Sequence, residues 1–331
     1  MTILLVFVVV FSLGFDYING FHDTANAVAT VIATRVLQPR HAIFLSAVLN
    51  FVGALVATHV ASTIAKGVID PNLATELTVL SAVLGAITWN LITWFYGIPS
   101  SSSHALIGGL IGAGIAKGGT SIVLWNDIVH KVLVPLVLSP IAGFVLAFLL
   151  MTVITLLFAR ANPAKVGTPF RRLQLLSSAA MSFSHGQNDG QKTMGVITLA
   201  LFTHHLIATK EVPLWVKLAC ATVMGLGTAS GGLRIIQTVG MKIIRLEPVQ
   251  GFAAETTGAA VIMSASALGM PVSTTHVISG SIFGVGAAKR LSAVRWQVAI
   301  NMVSAWVITI PASATMAAAV YLVLHAFGVT G

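Results

Sequence analysis

Apolar positions run through this chain in stretches too long for a soluble core, broken at a few sharply polar points. Stretches of about 20 apolar residues, each enough to cross about 30 Å of hydrocarbon as a helix, recur from one end to the other. They predict ten segments: 2–34, 41–64, 74–96, 98–117, 128–158, 173–202, 213–232, 249–268, 270–288 and 296–325. No separate soluble domain is predicted. The first run, MTILLVFVVVFSLGF, lacks a basic leader and a small-residue cleavage site, so it reads as a retained segment rather than a signal peptide.

The polar interruptions repeat. GIPSSSSHALIGGLIGAGIAK, from Gly97, is echoed by GMPVSTTHVISGSIFGVGAAK, from Gly269. Upstream of each, YINGFHDTANAVAT from Tyr17 aligns with FSHGQNDGQKTMGV from Phe183 on a shared Gly and Asp. Two copies of a five-segment unit follow, 1–158 and 173–331, joined by a cytoplasmic loop at 159–172. An odd number of crossings makes the second copy enter from the opposite side. The predicted fold is therefore an all-α polytopic membrane protein with about ten transmembrane segments in two inverted repeats with broken helices.

Charge orients that plan. With the N-terminus outside, inside loops hold twelve basic residues (Arg35, Arg40, Arg160, Lys165, Arg171, Arg172, Arg234, Lys242, Arg245, Lys289, Arg290 and Arg295) and outside loops hold five. That bias obeys the positive-inside rule and puts both termini outside. The net charge of +9 is then a topology signal, and no motif points to nucleic acid. Composition agrees with a lipid-bilayer protein: 56% hydrophobic, 8% charged, mean hydropathy +0.94. The single cysteine, Cys220, excludes an intramolecular disulfide framework and a cysteine-rich metal site.

Ionisable groups at membrane depth are costly and mark function. Of nine acids, Asp16, Asp23, Asp189 and Glu255 fall there, and Asp23 and Asp189 are repeat-related. Asn19 and Gly20 in one copy, and Ser184, His185, Gly186 and Asn188 in the other, predict breaks in the helix around each Asp. Carbonyls freed there, with a carboxylate, would make a hard-cation site. The hydroxyl clusters ask for the opposite charge. Pro99 and Pro271 each favour a break, and Ser100–Ser103 and Ser273–Thr275 then stand at helix N-termini, which suit a tetrahedral oxyanion. Gly108, Gly112, Gly114 and their echoes Gly280, Gly284, Gly286 predict close helix packing. His104 and His276 follow the hydroxyls directly and, with His22 and His185, are candidates for supporting or proton-handling roles.

At these residues the chain resembles the inorganic phosphate transporter (PiT) family, whose members carry a duplicated G-x-N-D-x-x-N-A signature; here it reads GFHDTANA and GQNDGQKT. The PSSSSH and PVSTTH elements resemble that family's substrate segments, and the resemblance spans both halves. It implies a secondary transporter importing inorganic phosphate by alternating access, coupled to sodium or protons, without a cofactor, in a bacterial plasma (inner) membrane. It implies phosphate binding at Ser101, Ser102, Ser103, Ser273, Thr274 and Thr275. Cation coupling falls to Asp23, Asn26, Asn188 and Asp189, with sodium at the two aspartates. Asn19, His22, His104, His185, Lys192, Glu255 and His276 are secondary candidates, and a homo-oligomer is compatible with such a chain.

Two departures matter. His22 replaces the usual Asn before Asp23, and Lys192 stands where an Asn matching Asn26 would ligate a cation. An ammonium there substitutes for an ion, which keeps proton coupling open, as well as a divalent metal travelling with phosphate. A sulfate permease with the same motifs is the nearest alternative, a passive anion channel a further one. A membrane hydrolase using Ser102 or Ser103 with His104 is disfavoured, because adjacent residues on one helix rarely face each other.

Overall fold

The polar punctuation sets where most helices start and stop. In the computed structural model, which describes residues 3–329, thirteen α-helical elements are joined by short turns. They are α1 (Ile3–Ala33), α2 (Pro39–Val56), α3 (His59–Gly67), α4 (Glu76–Tyr96), α5 (Ser102–Gly118), α6 (Trp125–Asp127) and α7 (Val134–Leu157), followed by α8 (Pro163–Thr203), α9 (Leu214–Ser230), α10 (Leu233–Gln237), α11 (Pro248–Ala267), α12 (Thr274–Lys289) and α13 (Trp296–Ala326). A π-helical stretch, Ile128–Leu133, joins α6 to α7, and another, Thr238–Lys242, follows α10.

Five runs are long and apolar enough to cross a membrane: α1, α2, α4, Trp125–Leu157 and α13. Leu214–Ser230 and Leu233–Lys242, bent by 63°, make a sixth if taken as one span. The outer surface is apolar, with Phe44, Leu157 and Val307 exposed, while Asp16, Asp23, Asp189, Lys192 and Glu255 are buried. A soluble protein would place these groups the other way round.

Several boundaries differ from expectation. The run 41–64 is split between α2 and α3 at Ala57 and Thr58. The presumed loop 159–172 is mostly the start of α8, which has 41 residues. Most consequentially, α1 and α8 run unbroken past Asp23 and Asp189. Gly20 and Gly186 admit a neighbouring helix instead of opening the backbone. A Cβ on Gly20 would lie 2.6 Å from the Met224 carbonyl oxygen of α9, and one on Gly186 would overlap the Asn50 carbonyl of α2.

The breaks at the hydroxyl clusters are where the sequence puts them. α4 ends at Gly97 (φ 65°) and α11 shortly before Gly269 (φ 70°), a backbone region that favours glycine. Pro99 or Pro271 follows, and the next helix opens with Ser101 or Ser273 as its N-cap. At 17 and 16 residues, α5 and α12 are only about 25 Å long, short of a full crossing. Each packs against the other half of the chain, α5 on α13 and α12 on α7. Gly112 and Gly284 sit against the Ala314 and Phe144 carbonyls, so the glycine ladders serve packing.

Candidate functional site

α1 and α8 carry the aspartates, and the starts of α5 and α12 bring the hydroxyls to them. Ser102 Oγ donates to Asp23 Oδ2 at 2.5 Å, and Thr274 Oγ1 donates to Asp189 Oδ2 at 3.1 Å. One ligand atom each from Asp23, His185 and Asp189 lie within 4.8 Å of one another, all buried. The two aspartates thus face a shared centre rather than two separate ones.

The residues three positions after each aspartate cross to the opposite half. Asn26 Nδ2 donates to Thr275 Oγ1 at 2.9 Å and to Thr274 Oγ1 at 3.2 Å. Its counterpart Lys192 donates to Ser103 Oγ at 2.5 Å, to the Val272 carbonyl at 3.1 Å, and to Asp189 in a short ion pair. Three donors meet three acceptors, so the buried ammonium is fully paired. Ser103 Oγ also donates to the Val272 carbonyl at 3.2 Å, and Asn188 reaches the Met270 carbonyl at 3.5 Å. The carbonyls released at this depth therefore come from the segment before α12, not from the aspartate helices.

The histidines divide into two groups. His22 Nδ1 lies 2.6 Å from Asp23 Oδ1 and its Nε2 lies 3.0 Å from Thr93 Oγ1; His185 Nε2 lies 3.4 Å from Asp189 and its Nδ1 3.1 Å from Asn50 Oδ1. His104 and His276 sit elsewhere: their rings are 4.6 Å apart, and His276 stacks on Trp306 at 3.9 Å. Their backbone N–H groups donate to Ser101 Oγ and Ser273 Oγ, at 3.2 and 3.3 Å, which completes both N-caps. With Ser102 and Ser103 turned to Asp23, Lys192 and Val272, neither pairs with His104 as a nucleophile and its base would require.

Glu255 does not join the aspartates. Its Oε1 accepts from Thr30 at 2.5 Å and Gln174 at 3.1 Å, its Oε2 from Ser177 at 2.5 Å. Thr34 donates to Gln174 at 2.9 Å, so a polar line leads away from Asn26 along α1. Thr30, Thr34, Gln174 and Ser177 were not singled out from sequence. The i, i+4 spacing of Asn26, Thr30 and Thr34 on one helix face was the available signal. Asn19 is buried with both side-chain polar atoms free of protein partners, and Asn26 and Asn188 keep their amide oxygens free. Buried amide oxygens beside two carboxylates are the donor set that hard monovalent and divalent cations use.

Two short helices bring their capped N-termini to a buried carboxylate pair inside an apolar helical bundle, an arrangement of the kind that helical membrane transporters use. The chain belongs to the phosphate transporter family, whose model matches residues 19–317. It is 51% identical over 98% of its length to a Bacillus subtilis protein, covering 98% of that protein, and 50% identical to one from Rhizobium meliloti, with 96% of each chain covered. Both are named "Probable low-affinity inorganic phosphate transporter". Among solved structures, "The sodium-dependent phosphate transporter" matches with a TM-score of 0.91 at 27% identity, over 98% of this chain and all of that one. The chain is thus a membrane-embedded phosphate transporter and not an enzyme. Neither the sulfate alternative nor a divalent metal travelling with phosphate finds support in these relatives.

Proposed function

We propose that the chain is a secondary active importer that moves phosphate by alternating access, with cation or proton occupancy of the aspartate pair setting when phosphate binds. The observation that carries this reading is the reciprocal crossing of Asn26 to Thr274 and Thr275 and of Lys192 to Ser103. It ties both aspartates and both hydroxyl helix starts into one centre. In this reading Ser101, Ser102, Ser103, Ser273, Thr274 and Thr275 hold phosphate, and Asp23, Asn26, Asn188 and Asp189 hold the coupling charge.

Coupling follows from electrostatics. Two like unit charges about 5 Å apart repel by about 3 kcal/mol at an effective dielectric of about 20. A phosphate dianion cannot settle beside two bare carboxylates on those terms. Once cations or protons neutralise them, Ser102 and Thr274 are released to donate to phosphate. The Lys192 ammonium already compensates Asp189, so one cation position is filled by the protein itself. Proton coupling, or a single sodium, fits that arrangement better than two sodium ions.

Residues 1–158 and 173–331 form two inverted five-segment repeats in this reading, with both termini outside. Shared details support it: Arg35 and His205 close α1 and α8 with the same backbone turn, each at φ 56°. The test is concentrative uptake of labelled phosphate into proteoliposomes. Asp23→Asn and Asp189→Asn should each abolish accumulation against a gradient; wild-type uptake by either variant at equal protein level removes that aspartate from the mechanism.

A further inference from the structure

Away from the aspartate pair, the end of α1, the π-helical stretch after α10, the start of α11 and the end of α12 line an open cavity of about 910 Å³. Its wall carries Arg35, Arg245, Arg290, Arg295 and Lys289 against one carboxylate, Glu247. Lys289 pairs with that carboxylate at 2.8 Å, while the four guanidiniums have no ion-pair partner among the described residues. The backbone around them is fixed. Arg171 donates to the Arg35 carbonyl at 2.9 Å, the Arg295 N–H donates to the Ile243 carbonyl at 3.1 Å, and Glu247 and Gln250 form a capping box on α11.

A positive-inside bias requires basic loops, and scattered ones satisfy it. It does not require three loops distant in sequence to bring four guanidiniums to one concave wall, where like charges repel and the field is focused. Orthophosphate is far smaller than this cavity and carries at most two charges near neutral pH. Guanidiniums recognise phosphate oxygens in a bidentate fork, and Met241 and Leu246 add apolar wall beside them.

We propose that this cavity binds an oligophosphate anion of three or four negative charges, the chemistry shared by nucleoside triphosphates and diphosphate lipid headgroups. Its place on the cytoplasmic face rests on the topology proposed above. The site bridges α1, α11 and α12, which also carry Asn26, Glu255 and the Thr274–Thr275 pair.

One introduced thiol reports both site and side. Ser292 lines the cavity and is exposed, and the sole native cysteine, Cys220, is buried. In Ser292→Cys, a membrane-impermeant maleimide should label only permeabilised cells. Labelling of intact cells refutes the topology but leaves the site to be judged by protection. In the purified full chain, inorganic triphosphate at about ten times its dissociation constant should slow labelling about tenfold, with orthophosphate at that concentration ineffective. Adding Arg290→Ala and Arg295→Ala should remove the protection; adding Arg40→Ala, a basic residue of the same face outside the cavity, should not.

Reconstitution in phosphatidylcholine with or without a polyprenyl diphosphate lipid separates the sources. If the diphosphate lipid protects the introduced thiol and abolishes the triphosphate effect, the occupant is a lipid headgroup; if triphosphate still protects in its presence, the occupant is soluble. Labelling indifferent to both, equal protection by orthophosphate, or protection that survives the double arginine variant overturns the proposal.

Discussion

Replacing Lys192 with asparagine exchanges an ammonium for the side chain that Asn26 supplies in the first half. The ammonium satisfies Asp189, Ser103 Oγ and the Val272 carbonyl together. Removing one partner of a buried ion pair, with nothing in its place, costs about 3–5 kcal/mol because the remaining charge is left uncompensated. A sodium ion entering beside Asp189 and the new amide oxygen offsets most of that cost. At one hundred times its dissociation constant, a bound ion stabilises the fold by about 2.7 kcal/mol. Lys192→Asn should therefore unfold at lower temperature than wild type in choline and recover much of the loss in sodium. Lys192→Met, which offers no oxygen, should recover less. In proteoliposomes with sodium and proton gradients imposed separately, wild-type phosphate uptake should follow pH more steeply than sodium, and Lys192→Asn should gain sodium dependence. Strong sodium stimulation of wild type with two or more ions per phosphate, unaltered in Lys192→Asn, would refute the idea that the lysine takes an ion's place.

Replacing Ser102 and Ser103 together, or Thr274 and Thr275 together, with alanine should raise the KM for phosphate or eliminate uptake. Hydrogen bonds to charged groups contribute about 1.5–3 kcal/mol each, roughly ten- to hundredfold in affinity per hydroxyl, and saturation curves unchanged in both double variants reduce these residues to caps. Gly112→Ala should destabilise the protein by about 1–3 kcal/mol, since its Cβ overlaps the Ala314 carbonyl and must push α5 from α13. Thermal unfolding in detergent measures the loss, and an unchanged midpoint shows that the contact gives way freely.

Much of the site is legible in the sequence because its signals are local and doubled. A left-handed glycine, a proline and a hydroxyl N-cap are a backbone instruction written within seven residues, and the chain writes it at Gly97–Ser103 and again at Gly269–Thr275. Burial of Asp23 and Asp189 follows from carboxylates set in apolar runs, and the resemblance to phosphate transporters follows from the same residues. Local signals misled where a residue serves a neighbour distant in sequence. Gly20 and Gly186 look like helix breakers in isolation, yet the backbone gains more by keeping its hydrogen bonds and letting α9 and α2 approach.

Only the tertiary structure decided that the two aspartates share one centre, that Asn26 and Lys192 cross to the opposite hydroxyls, and that Glu255 belongs to Thr30, Gln174 and Ser177 instead. The reason is physical. Periodicity and turn chemistry act over a few residues and are written into the chain itself. Which buried polar groups satisfy one another depends on which helix faces meet, and that is fixed by the packing of elements up to 249 residues apart.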